Sequence, residues 1–510
     1  MTPTRVALLA ALGMSLTSVT VYSFTPAGGL FRHGHDPGQG LVASPEVAPE
    51  QKPDAPAQPA ELSRFTDGKT LTVEGRVGNG RLARSSNGET FVMLEVKAAE
   101  GLVAKSAAPA NLALVIDRSG SMKGTRLRNA ISAAQTAVDR LDDGDVVSVV
   151  TFDTQTQVVV PPTTIGPGAR ESVDARIRGI GLGGDTCISC GLEEAMSLLA
   201  QTPGKVSRML LLSDGDANHG VRDVPGFRGI ARRAQEKGIS VTTIGVDVDY
   251  NEKIMSAIAV DSNGRHYFVA DPSGLPRVFE EEARSLTSTV ASNAEIAVDL
   301  APGVVLDRVF DRSFRRVGDR VLVPLGALAG TDVKTVLLAV HVPHDREGVE
   351  PVASVELSYR DLVTGEDARC GGKLGLEVVA SPAEESGLDA VVSGRVQRSL
   401  TADTLKDANN LVEQGRLDEA RHRLAAREVT LRKAADVAES AAPAARKRDV
   451  DVDFQSQIAA IGGADKDLRG PQFATPPPGA AGTPRPPVQE SRAAKSAVRV
   501  NAERAVQLGF

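Results

Sequence analysis

Tryptophan is absent from the 510 residues, and aromatic side chains make up only 3%. Stacking platforms for single-stranded nucleic acid and aromatic walls for carbohydrate are therefore poorly supplied. The net charge is -7 at pH 7, whereas nucleic-acid binders carry a basic stripe or patch. Nucleic acid is not an expected partner. Three cysteines are too few for a disulfide scaffold. The motifs of common enzyme classes are missing too: no His-Glu-x-x-His, no Gly-x-Ser-x-Gly, no phosphate-binding Gly-x-x-x-x-Gly-Lys-Ser/Thr loop and no kinase set. The chain is accordingly read as a non-enzyme. His219 is read as a solvated loop residue rather than a general base.

The sequence opens with an apolar run, residues 6–24, behind a lone Arg5. About 19 such residues suit a secretory signal or an uncleaved signal anchor. Residues 1–27 are assigned that role, with cleavage left open because no clean Ala-x-Ala site follows. The body is expected to be exported: periplasmic, at the cell surface, or held to the membrane by this segment. Residues 28–63 carry Pro, Ala, Gly, Gln and Glu with few large apolar side chains, too few to fold, and read as a disordered linker.

Short runs of alternating polarity punctuated by Gly and Asn predict antiparallel strands over 64–108, which pair with a later β segment. Over 109–290 the periodicity alternates between buried strands and amphipathic helices, the mark of a largely parallel, doubly wound α/β sheet. Strands return over 291–382 with the spacing of a β-sandwich. Residues 383–445 read as a helical hairpin that turns near Gln414-Gly415-Arg416, and 446–510 as a Pro-rich disordered tail.

The chemistry lies at strand ends. The apolar run Leu112–Ile116 stops at Asp117-Arg118-Ser119-Gly120-Ser121. A continuous branched-apolar run is a strand buried on both faces, and ligands of open α/β sheets bind beyond the carboxyl ends of such strands. Asp117, Ser119 and Ser121 thus offer three hard oxygens in a small volume, suited to Mg²⁺ or Mn²⁺. A second apolar run, residues 209–212, leads through Ser213 into Asp214. Between the two lies the glycine-rich Gly181-Leu182-Gly183-Gly184-Asp185-Thr186.

This three-part pattern resembles the metal-ion-dependent adhesion site of von Willebrand factor type A (VWA) domains. The resemblance implies a Rossmann-like fold over 109–290 and a metal held by Asp117, Ser119, Ser121, Thr186 and Asp214. It also implies that a partner protein completes the coordination with an Asp or Glu carboxylate. Asp185 and Asp216 read as solvated loop charges; Asp247 and Asp249 lie at another strand end, near the same rim, but read as leading into a capped helix start at Asn251. Strands on both sides of the body resemble the layout of bacterial exported VWA proteins and, distantly, inter-alpha-trypsin inhibitor heavy chains.

Cys187 and Cys190 form a Cys-x-x-Cys directly after Thr186. In an exported protein a short-range disulfide is expected, with a redox pair or half a zinc site as competitors. Cys370 is left unpaired or linked to another molecule. The expectation is a divalent-cation-dependent protein-binding module of adhesion type. The alternative is an envelope scaffold or assembly factor whose metal site is structural or degenerate.

Overall fold

In a computed structural model of the chain, residues 62–99, 102, 109–469 and 491–509 are described. The signal segment, nearly all of the linker and the proline-rich run at 470–490 lie outside the described residues. Among the described residues no helix is long and apolar enough to cross a membrane.

The chain begins with four strands, β1 (Arg64–Gly68), β2 (Leu71–Val77), β3 (Arg81–Ala83) and β4 (Glu89–Ala98). An α/β body follows: β5 (Ala110–Asp117), α1 (Thr125–Asp139), β6 (Val146–Phe152), β7 (Thr156–Thr164), α2 (Ala169–Arg178), α3 (Ile188–Leu199), β8 (Val206–Ser213), α4 (Val224–Glu236), β9 (Ile239–Val246), α5 (Glu252–Asp261), β10 (His266–Val269) and α6 (Leu275–Thr287). Its sheet runs in the order β10-β9-β8-β5-β6-β7, parallel throughout except that β7 is antiparallel to β6. Every residue of β5, β6 and β9 is buried. Successive side chains of a strand point to opposite faces, so Leu112, Leu114 and Ile116 pack with α1 and α6. Ala113 and Val115 pack with α3 and α4 on the other side. Each buried Leu, Ile or Val among them contributes roughly 1.5–3 kcal/mol relative to exposure. The edge strand β7 carries Pro161 and Pro162 within it. Proline is tolerated there because an edge strand needs no ladder partner on its outer side.

After the body come β11 (Thr289–Leu300), β12 (Val305–Val309), β13 (Arg315–Val317), β14 (Arg320–Ala329), β15 (Val333–His341), β16 (Gly348–Asp361) and β17 (Asp367–Val379). They form two sheets with the first four strands, in the orders β1-β2-β4-β15-β12 and β13-β14-β11-β16-β17-β3. Leu94 of β4 stands opposite Val336 of β15, and β3 pairs in parallel with β17. The two sheets share one core, with Val73, Val96, Ile296, Val323, Leu338 and Leu357 all fully buried. The α/β body is therefore an insertion between strands of one sandwich.

The last elements are α7 (Ala390–Glu413), α8 (Leu417–Ala441), α9 (Lys447–Asp467) and α10 (Arg492–Gly509). The expected disordered tail over 446–510 is corrected for the residues of α9 and α10, which are helices packed into the core of the preceding pair. Leu405, Leu424, Leu431, Phe454, Ile461 and Val498 make that core. The proline-rich composition of 470–490 masked a helical stripe on each side of it. Val450, Phe454, Ile458 and Ile461 recur on one helical face. Alanines fill four of the nine buried positions on α10, and such small residues carry little hydropathic contrast.

Candidate metal centre

The carboxyl ends of β5 and β8 lie side by side in the sheet and deliver Asp117 and, one residue past β8, Asp214 to the same rim. The backbone N–H of Ser119 donates to Asp117 Oδ1 at 2.8 Å. Ser119 Oγ and Ser121 Oγ are 3.0 Å apart, and Ser121 Oγ donates to Asp214 Oδ1 at 2.6 Å. A Cβ on Gly215 would lie 3.7 Å from Ser121 Oγ and 3.8 Å from Thr186 Oγ1, so both hydroxyls border the Gly215 backbone. The structure thus brings together Asp117, Ser119, Ser121, Thr186 and Asp214. Asp117, Ser119, Thr186 and Asp214 are each at most 5% exposed.

The glycine-rich loop reaches the rim through close backbone contacts. Gly120 N donates to Gly184 O at 3.0 Å and Gly183 N to Arg118 O at 2.7 Å. A Cβ on Gly183 would sit 1.8 Å from Asp153 Oδ2, a carboxylate already paired with Arg118 Nη2 at 2.8 Å. Only glycine fits there. Thr186 is clasped from the opposite loop: its N–H donates to Asn218 Oδ1 at 2.8 Å, and its carbonyl accepts from Asn218 N and His219 N. Cys187 and Cys190 are joined in a disulfide directly behind it. Cys370 is a free thiol, pushed up to about 11 by burial, with Sγ 3.9 Å from Leu71 O.

Burial pushes the Asp117 carboxyl up to about 6, against the hydrogen bonds from Ser119 and Ser213, and the nearby Asp214 adds to the rise. Burial raises Asp214 as well, although Ser121 and Arg126 oppose it. Two buried carboxylates whose negative charge is incompletely compensated, ringed by hydroxyls, fit a small hard cation. No thiol or imidazole belongs to the set, so softer metals are disfavoured.

Several residues escaped the motif. Ser213 Oγ donates to Asp117 Oδ2 at 2.6 Å and fixes that side chain from the neighbouring strand. Arg126, in the first turn of α1, donates through Nη1 to Asp214 Oδ2 at 2.7 Å and pairs with Asp247 through Nη2. Burial works to raise Asp247, but the Arg126 contact holds it below the usual carboxylate range. Asp247 has φ 62°, a left-handed conformation that aspartate tolerates better than most residues. Asn251 caps α5 by accepting from Ile254 N at 3.1 Å. Asp185 and His219 are exposed and 4.0 Å apart.

An open, mostly parallel sheet with helices on both faces, and a carboxylate-and-hydroxyl bowl at its carboxyl rim, mark a doubly wound α/β domain with a candidate site at its strand ends. Residues 111–281 match the model of the von Willebrand factor type A domain, and the chain contains such a domain. An uncharacterized protein of Synechocystis sp., sll0103, is 28% identical over 269 residues, which cover 51% of this chain and 63% of that protein. Human inter-alpha-trypsin inhibitor heavy chain H4 is 26% identical over 253 residues, covering 46% of this chain but 26% of its own. The chain therefore spans less than two thirds of the length of either relative. The solved structure of a von Willebrand factor type A protein from Catenulispora acidiphila superposes with a TM-score of 0.62 at 18% identity, over 80% of this chain and 90% of that one. That likeness extends the shared fold beyond the VWA domain alone. VWA domains commonly mediate metal-dependent protein interactions and are typically not enzymes.

Proposed function

We propose that this chain binds a protein ligand through a divalent cation, Mg²⁺ or Mn²⁺, held by Asp117, Ser119, Ser121, Thr186 and Asp214. The convergence of two buried carboxylates and three hydroxyls from three separate segments carries the reading. The bound cation supplies positive charge that attracts an Asp or Glu of the partner. The chain's own residues do the rest. Ser213 orients Asp117, the Gly183–Gly184 backbone brings the loop close, and Asn218 holds Thr186 in place. We place the protein outside the cytoplasm, exported or anchored by its first segment. The apolar run at 6–24 and the Cys187–Cys190 disulfide support this, since disulfides persist in oxidising compartments.

The test is a thermal-unfolding series in Mg²⁺ and Mn²⁺ for the wild-type chain and Asp117→Ala, followed by pull-down without crosslinker from the source cell envelope, with and without EDTA. Stabilisation by cation scales as RT ln(1 + [L]/Kd), about 2.7 kcal/mol at one hundred times Kd. The wild type should gain stability that Asp117→Ala lacks, and chelator should release the captured partner. A chain that gains nothing from either cation, or a partner that stays bound in EDTA, refutes the proposal and favours the scaffold reading.

A further inference from the structure

Helix α10 meets the segment that follows β9, at the rim where Asp214 lies. Its basic side chains Arg492, Lys495 and Arg499 stand at i, i+3 and i+7, a single helical face. Each meets an acid. Arg492 Nη2 lies 2.6 Å from Asp247 Oδ1 and Lys495 Nζ lies 2.9 Å from Asp249 Oδ1. Arg499 pairs with Glu252 and sits over the Tyr250 ring, 5.2 Å from its centroid. Asp247 is shared, because its other oxygen takes Arg126 Nη2, and Arg126 Nη1 donates both to Asp214 Oδ2 and to Ser121 O. An unbroken series of charge contacts, Asp214 to Arg126 to Asp247 to Arg492, therefore joins the candidate metal centre to a helix outside the VWA domain.

We infer that Arg126 is a resident counter-cation of Asp214, and that docking of α10 and uptake of a divalent cation oppose each other through Arg126, Asp247 and Arg492. The inference rests on the cation reading given above. Asp214 Oδ1 already accepts from Ser121 and Oδ2 from Arg126, so a doubly charged ion approaching this carboxylate meets a guanidinium beside it. Like charges that close repel strongly where water is partly excluded. The ion displaces Arg126 from Asp214, and the acid it already holds is Asp247. Arg126 then competes with Arg492 for that carboxylate, and the first ion pair of α10 weakens. Linkage makes the effect reciprocal: whatever docking strength α10 loses when the ion binds, the ion loses in affinity when α10 is docked.

The test is Mn²⁺ titration calorimetry at fixed ionic strength on three full chains: wild type, Arg126→Gln, and Arg492→Gln with Lys495→Gln. The last pair changes side chains 69% and 39% exposed, so the fold should survive even if Arg126→Gln does not. Affinity should rise about tenfold in Arg126→Gln and about fivefold in the double variant, within the usual range of couplings between sites. Amide hydrogen exchange in α10 should quicken when wild type takes up Mn²⁺. Equal Mn²⁺ affinity in all three chains, or unchanged exchange in α10, overturns the coupling and leaves the cation reading standing. Absence of Mn²⁺ uptake from every chain overturns both.

Discussion

Glu282, on α6, holds the end of the VWA sheet away from the rim, and its removal should cost more than any surface change. It is 1% exposed and its carboxylate accepts four hydrogen bonds. Oε2 takes Arg208 Nη1 at 3.2 Å and Thr242 Oγ1 at 2.8 Å, and Oε1 takes Arg265 Nη1 at 3.1 Å and the Tyr267 hydroxyl at 2.8 Å. Glu282→Gln keeps the shape but turns an NH₂ donor toward one arginine and its neighbouring hydroxyl. Arg265 retains Asp332 at 2.8 Å, whereas the Arg208 side chain, 9% exposed, loses its counter-charge in a dry site. Breaking a buried pair from one side costs about 3–5 kcal/mol. At about 2–4 °C per kcal/mol for a body of this size, the midpoint should fall by about 6–20 °C. Burial alone would raise the Glu282 pKa, but Arg208 and Arg265 outweigh it and hold it below the ordinary value. The stabilisation is therefore present above the unfolded glutamate pKa of about 4.3 and is lost as pH falls through the lower folded value. The gap between wild type and variant should narrow accordingly in acid. Urea unfolding at pH 7 measures the loss, with the exposed neighbour Glu281→Gln as a control expected to stay within about 0.5 kcal/mol. A Glu282→Gln loss below about 1 kcal/mol would show that the four contacts do not act as a buried charge network.

Two further outcomes follow from the structure. Burial, and secondarily Arg499, lowers His266 to about 3, while its ring lies against Thr243 Oγ1 and the Tyr250 hydroxyl. The unfolded chain takes up this proton near pH 6.5 and the folded chain does not, so stability drops by about 1.4 kcal/mol per pH unit below that point. His266→Asn should lose about 2 kcal/mol less than wild type between pH 7 and pH 5 in urea titrations, and equal losses would disprove the assignment. Gly183→Ala drives a methyl into Asp153 and should cost about 1–3 kcal/mol. It should also shrink the stabilisation by Mg²⁺, because the same loop carries Thr186, and an unchanged Mg²⁺ response would refute the link.

The parallel strands of the body were legible because burial on both faces writes an uninterrupted apolar run. The points where such runs stop mark Asp117 and Asp214 without any knowledge of three-dimensional contacts. The charge contacts around those residues were not legible. Arg126 meets Asp214 across 88 positions and Asp247 across 121, and nothing local distinguishes it from any other basic residue in the first turn of an amphipathic helix. Asp247 was read as belonging near a helix start because Asn251 does cap α5, and its ion pairs with two different helices leave no periodic trace. The tail was misread for a related reason: its seven prolines all fall within 471–487, and that cluster was extended to the whole of 446–510, whereas packing depends on spacing within each short stretch.

The insertion of the VWA domain into the sandwich has a mechanical consequence. Strand β4 leaves the sandwich where Lys97 faces Val333, and β11 re-enters it where Thr289 faces Ala329, with Asp332 N bonded back to Ala329 O in the turn between them. Both junctions are thus stitched to one short turn. Tension applied between Arg64 and Val379 runs along the ladders of the sandwich and passes by the inserted body, which hangs from the load path as a side branch.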